Sequence, residues 1–232
     1  MLRSKGIVTD LQKRILEVFS ATADSRCFYL GGGTALADFY LAHRKSFDLD
    51  MFTAEEGLVL PFSRVLERAL KGDFNVKVVR RLESFVEYEI GMKGEETRLQ
   101  LAYDSPFRFA NPVDSDLGVK VNDYEDLVTD KLLAFYGRVE PRDAVDLFFI
   151  LESEDIWKLS RAAAKKDPGF DLYWMAVALG KTREFPDEIS RWPVRMLREL
   201  DARVLKERLQ KLAEKILEEI KKDRPGNGAQ MA

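Results

Sequence analysis

The spacing of apolar residues changes period several times along the chain, and each change predicts a different element. In LQKRILEVF, Leu11, Ile15, Val18 and Phe19 fall on one helical face, and Thr9 or Asp10 stands where that helix needs a cap. The apolar run CFYL predicts a buried strand with Cys27 as a small core residue inside it. Gly31, Gly32, Gly33 and Thr34 follow, and ALADFYLAH then has helical character, so the order is strand, glycine turn, helix. SFDLDMF alternates strictly: Phe47, Leu49 and Met51 point one way, Ser46, Asp48 and Asp50 the other, which predicts a strand with one polar edge. A helix over 61–71 is followed by FNVKVVRRL, SFVEYEIGM and TRLQLAY, three β-rich runs that complete a mixed sheet.

After Asn122 the pattern predicts helices only, over 123–138, 141–152, 155–166, 171–180 and a long 193–222. Pro141 suits the first turn of its helix, and Pro168-Gly169 and Trp192-Pro193 punctuate later ones. The expected organisation is an α+β chain. Residues 1–122 form an α/β core, residues 123–222 a helical domain contributing to the active-site cleft, and residues 223–232, DRPGNGAQMA, a disordered tail.

Composition narrows the chemistry. The 232 residues are 46% hydrophobic, enough for a sizeable core, and no apolar stretch approaches the roughly 20 residues of a membrane span. The N-terminus lacks an apolar signal core, so a cytoplasmic location is expected. One cysteine and one histidine leave too few soft ligands for a zinc site, so any metal should be oxygen-bound. The net charge of −3 gives no global signal for nucleic acid, yet residues 153–232 carry 17 Lys and Arg against 14 Asp and Glu. That basic share fits a polyanionic acceptor, and a solvated helical surface equally well.

Asp48 and Asp50, two apart on one strand, project from the same face about 7 Å apart, where both carboxylates converge on hard cations. Mg²⁺ typically takes one or two protein carboxylates and completes its shell with water and phosphate oxygens. Fifteen residues upstream of this pair, Gly31 to Gly33 free backbone N–H groups at a helix start, a natural seat for a triphosphate to which the Thr34 hydroxyl can add a donor. Lys131 lies among Leu127, Val128, Ala134 and Phe135, near the centre of an apolar stripe, where an ammonium needs a phosphate or a snorkelling path. From Ala144 to Leu151 every residue except Asp146 is apolar, and Asp143 and Asp146 share a helical face. Arg142 or Lys131 is available to pair with either acid. Arg44 can hold phosphate or pair with the acids, and His43 reads equally as a packing or capping residue or as a ligand.

Gly32-Gly33-Thr34-Ala35-Leu36 followed by His43-Arg44-X-Ser46-X-Asp48-Leu49-Asp50 resembles the signature of the AbiEii/AbiGii-type nucleotidyltransferase toxins, a branch of the DNA polymerase β-like superfamily. The resemblance extends to Lys131 and to Arg142-Asp143-X-X-Asp146-Leu147, and covers roughly residues 28–150. It implies a polymerase β-like core and transfer of a nucleoside monophosphate from an NTP to an acceptor hydroxyl, on tRNA, other RNA or protein, with pyrophosphate released. It further implies two Mg²⁺ held by Asp48 and Asp50, nucleotide contacts from Gly32, Gly33, Thr34, Arg44, Ser46 and Lys131, catalytic roles for Lys131, Asp143 and Asp146, and a cognate antitoxin.

One position departs from the superfamily pattern. A third carboxylate is expected on a later strand, and in TRLQLAYD the matching position is Gln100, a neutral amide that cannot act as a base. Asp104, Asp143 or Asp146 could supply the charge. Two other readings therefore stand: a catalytically weak or silent nucleotide-binding module, and a small-molecule nucleotidyltransferase of the antibiotic-modifying sort.

Overall fold

The computed structural model describes residues 1–223. It divides into two compact units, Met1–Val128 with Arg195–Arg198, and Thr129–Val194 with the chain from Glu199 onward. The expectation for the tail lies, beyond Asp223, outside the described residues.

The first unit is built on a seven-stranded mixed sheet. Helix α1 (Asp10–Ala21) opens on Thr9, whose side chain caps Gln12 N–H while the Gln12 side chain returns to the Thr9 backbone. Strand β1 (Phe28–Leu30) leads into helix α2 (Gly32–Ala35), which continues as a π-helical turn over Leu36–Leu41 and ends at Ala42 in the left-handed region. Strands β2 (Arg44–Lys45) and β3 (Asp48–Thr53) follow, then helix α3 (Val59–Leu70), strands β4 (Asn75–Arg81), β5 (Phe85–Met92) and β6 (Glu95–Tyr103), and the short β7 (Val113–Asp114) and β8 (Lys120–Val121). The sheet order is β4-β5-β6-β3-β1-β8-β7, with β3 parallel to β6 and β1 parallel to β8.

Alternation decides which face of this sheet is covered. Leu49, Met51, Leu99, Leu101, Val86, Tyr88 and Ile90 are fully buried on one face. Helices α1 and α3 lie over that face, and Phe19, Phe28 and Phe62 interlock there with ring centroids 4.4 to 5.9 Å apart. The opposite face carries Asp48 and Asp50.

The second unit is helical. Helix α4 (Tyr124–Arg138) crosses the boundary between units, six residues beyond the change of pattern at Asn122. Then come α5 (Pro141–Ile150), buried throughout from Asp143 to Ile150, α6 (Ile156–Lys166) and α7 (Leu172–Lys181). Strand β9 (Arg195–Met196) precedes the last helix, α8 (Ala202–Asp223). Ala202, Leu205, Leu209, Ala213 and Ile216 form its buried stripe against α7.

Three local expectations are corrected. Cys27 belongs to a 3₁₀ turn, Ser25–Cys27, and is exposed, because the strand starts one residue later. Phe47 precedes β3 and is 50% exposed, so the alternation begins to govern burial only at Leu49. The long final helix begins at Ala202 rather than near 193. Residues 195–196 are extended instead, pairing antiparallel with β2 in the first unit.

Candidate active site

The glycine turn and β3 are fitted against each other atom by atom. Gly31 N–H donates to the Asp50 carbonyl at 2.8 Å, and the Thr34 hydroxyl donates to the Asp48 carbonyl. Gly32 has φ +62°, and a Cβ there would stand 1.9 Å from Asp50 Oδ2. A Cβ on Gly33 would meet an Arg44 guanidinium nitrogen at 2.7 Å and Ser46 Oγ at 2.9 Å. Only glycines let the Asp50 carboxylate and the Arg44 and Ser46 side chains lie directly on this turn.

The backbone around the aspartates is tied down on every side. Thr97 donates its hydroxyl to the Phe47 carbonyl, and β6 runs parallel to β3 in register from Asp48 opposite Arg98 to Thr53 opposite Tyr103. Gln12, 1% exposed, uses its amide to hold the Ser46 carbonyl at 3.2 Å, so the residue that completes the capping box of α1 also anchors the approach to β3. Arg44 is 6% exposed, and β2 is held by β9, with the His43 carbonyl accepting from Leu197 N–H and Arg198 N–H at 2.9 and 3.1 Å. His43 itself is fully buried. The Thr34 proton, offered by the sequence to a phosphate, is instead spent on β3, so Thr34 positions the turn.

Strand register also places the acids that the sequence left open. Gln100 lies directly opposite Asp50, and Glu87 on β5 lies directly opposite Gln100. Asp50, Gln100 and Glu87 therefore form one row on one face, with Glu87 two strand spacings, roughly 9.5 Å, from Asp50. Glu87 Oε1 is 3.4 Å from the Gln100 amide nitrogen and 4.0 Å from Arg98, and its side chain is 12% exposed. Sequence reasoning missed Glu87, although the alternation of SFVEYEIGM puts Glu87 and Glu89 opposite the buried Val86, Tyr88 and Ile90. Only the pairing of β5 with β6 shows which of the two faces Asp50.

The remaining candidates have cation partners. Asp104 accepts from the Tyr29 hydroxyl at 2.8 Å and from Arg108 at 2.9 Å. In the helical unit, fully buried Asp143 is gripped through both oxygens by Arg138, at 2.5 and 2.7 Å. Lys131, 6% exposed, stands 2.8 Å from fully buried Asp146, and Arg142 pairs with Glu140. The structure thus groups Gly32, Gly33, Thr34, Arg44, Ser46, Asp48 and Asp50 in the first unit, and pairs Lys131 with Asp146 in the second.

A family model described as the nucleotidyl transferase AbiEii toxin of a type IV toxin–antitoxin system matches residues 14–226. The chain belongs to the AbiEii nucleotidyltransferase toxin family. Solved structures share the fold of this AbiEii-family chain. An H. pylori protein assigned as a nucleotidyltransferase aligns with TM-score 0.61 at 16% identity, covering 92% of this chain and 96% of its own. JHP933 from Helicobacter pylori gives 0.56 at 18%, covering 90% and 92%. MenT4, the nucleotidyltransferase toxin Rv2826c from Mycobacterium tuberculosis H37Rv, gives 0.56 at 15%, covering 89% and 81%. No curated protein matches the chain.

The AbiEii-family site fits a hard cation on its own geometry. Asp48 and Asp50 are both half-buried on the same face, and the missing Cβ at Gly32 lets the Asp50 carboxylate lie directly on the turn. Among the described residues no three His, Cys, Asp or Glu side chains cluster closely enough to enclose a metal. A pair of carboxylates with the other positions left to phosphate and water is the arrangement Mg²⁺ accepts most readily.

Proposed function

We propose that this AbiEii-family nucleotidyltransferase moves a nucleoside monophosphate from MgNTP to a hydroxyl of an RNA acceptor, as the toxin partner of a cognate antitoxin. The observation that carries the reading is the fit of Gly32 and Gly33 against Asp50, Arg44 and Ser46. It puts a carboxylate, a guanidinium and a hydroxyl on one bare backbone turn.

Asp48 and Asp50 would hold Mg²⁺, which supplies neutralisation of triphosphate charge when bound. Arg44 lies on the turn as the fixed cation for a phosphate oxygen, and Ser46 offers a neutral donor beside it. The acceptor oxygen forms a bond to the α-phosphorus while the bond from that phosphorus to the pyrophosphate oxygen breaks. Glu87 takes the hydroxyl proton, doing from β5 what Gln100 cannot do from β6. Charge placement and orientation carry most of the rate enhancement in this scheme. The basic excess of residues 153–232 is compatible with a polyanionic acceptor.

The test is incubation with each α-labelled NTP, Mg²⁺ and total tRNA, comparing the native protein with Asp48→Ala/Asp50→Ala. Label in RNA from the native protein alone supports the reading. Label in neither, with every NTP, removes it. Gln100 opposite Asp50 favours a second reading, a module that binds MgNTP without transferring, for which calorimetry would show binding with no pyrophosphate released.

A further inference from the structure

A cavity of about 560 Å³ opens in the helical unit, and none of its lining residues is assigned above to nucleotide. Its walls combine three aromatic rings, Tyr136, Trp174 and Phe185, with the cations Arg138 and Lys181 and one acid, Glu184. The size suits a nucleotide.

Each of the three rings packs against a neighbouring ring. Trp174 sits in the first turn of α7, its backbone N–H donating to the Asp171 cap at 3.1 Å, with the Tyr173 ring against its own ring at 5.3 Å and 75°. It is nevertheless 59% exposed, and Tyr173 is 47% exposed, a costly pairing of large rings to leave in water. Phe185 is backed edge-on by buried Trp192 at 5.5 Å, and Trp192 is itself anchored by its indole N–H to the Pro186 carbonyl at 3.0 Å.

The polar groups are also in place. Arg138 is clamped on both oxygens of Asp143, so it lines the cavity in a set position. The next residue, Val139, has φ +51°, a left-handed conformation that a β-branched side chain adopts only when its surroundings impose it. Lys181, exposed at the end of α7, has no ion-pair partner among the described residues. An unstacked base suits these walls better than an aliphatic peptide side chain. It has a π-face for Trp174, a phosphate for Lys181 and, in cytosine or adenine, an exocyclic amine for the Glu184 carboxylate.

We infer that this cavity receives one flipped-out base of a single-stranded RNA, stacked on Trp174, with Lys181 on the adjoining phosphate and Glu184 accepting from the base's amino group. The inference rests on the reading that the acceptor is RNA, and supplies the surface that reads it.

The experiment titrates fluorescein-labelled oligo(A), oligo(C) and oligo(U) of about eight nucleotides into the full chain, followed by anisotropy. Oligo(A) and oligo(C) are expected to bind more tightly than oligo(U). Trp174→Ala should weaken binding about tenfold or more, and Trp174→Phe should restore most of it, because the ring rather than the indole N–H carries the contact. Lys181→Gln should flatten the salt dependence, and Glu184→Gln should erase the preference over oligo(U). Equal binding by Trp174→Ala, no binding of any oligomer by the native chain, or free CMP binding as tightly as oligo(C) would each overturn the inference. Calorimetry of MgNTP on the same samples separates the two proposals. Nucleotide binding without oligomer binding leaves the transferase reading standing and the cavity assignment wrong, and the reverse result does the opposite.

Discussion

The contact between Gly32 and Asp50 makes the sharpest residue-level prediction. Gly32→Ala must displace the Asp50 carboxylate, because its Cβ would stand 1.9 Å from Oδ2, and it also adopts φ +62°. The backbone term costs about 1–2 kcal/mol, and the displaced carboxylate should lower transfer about a hundredfold. Gly57→Ala is the matched control, with φ +75° and nothing within 4 Å, and should lose similar stability while keeping activity. Thermal melts and the labelling assay read the two effects separately. A second prediction concerns the base. Glu87→Gln should reduce transfer about a hundredfold or more with MgNTP affinity unchanged, and adding Gln100→Glu should recover part of it. Transfer at the native rate in Glu87→Gln would show that the base lies elsewhere. At this scale much was legible, since period-two alternation put Asp48 and Asp50 on one face without any structure. Phe47 and Cys27 were misread because alternation says nothing about where a strand begins. Glu87 was invisible because a cross-strand neighbour depends on register, which hairpin and crossover geometry set together.

Among elements, the pairing of α4 with α5 through Lys131 and Asp146 separates a structural from a functional reading. Both side chains are nearly or fully buried, and removing one partner of such a pair typically costs about 3–5 kcal/mol. Lys131→Ala should therefore be strongly destabilised whatever else the lysine does. The double variant Lys131→Met/Asp146→Leu removes both charges together and should melt well above Lys131→Ala. If the folded double variant still labels RNA at the native rate, the pair is structural. If it folds and is inactive, Lys131 serves the nucleotide as the sequence resemblance implies. A weaker tie links α3 to β4, where Glu67 meets Lys71 at 2.7 Å and also Arg81. Hydrogen bonds from Lys71 and then Arg81 hold its carboxyl below the ordinary value of 4.5. A depressed acid stabilises the fold above its unfolded pKa and loses that contribution as pH falls through the folded one. Glu67→Gln should thus lower the melting temperature at pH 7 and converge with the native protein at strongly acid pH. The helices themselves were legible from spacing, with starts at Thr9 and Pro141 read from their caps. The partner of each buried charge was not: the sequence offered Arg142 or Lys131 to both acids, and the structure gives Asp143 to Arg138.

At the level of the whole molecule, the change from mixed to helical patterning after Asn122 points to two units but hides how the chain is threaded between them. Residues 195–198 return to the first unit, where β9 pairs with β2 and the His43 carbonyl receives two N–H groups. Nothing in the local pattern of RWPVRMLREL announces this, because a two-residue strand has no period and its partner is distant in sequence. The consequence is that Arg44, which lies against Gly33, is supported by a segment far outside the motif that the AbiEii family resemblance covers. Leu197→Pro tests that dependence, since proline removes the 2.9 Å bond to His43 while leaving every charged residue of the site in place. The loss of one such bond costs about 0.5–1.5 kcal/mol, small enough for the chain to remain folded. MgNTP affinity, measured by calorimetry, should nevertheless fall, and the fall should be absent in Leu197→Ala, which keeps the N–H. Equal affinity in the proline variant would mean that Arg44 is held by the turn alone and that β9 serves only the chain's return path.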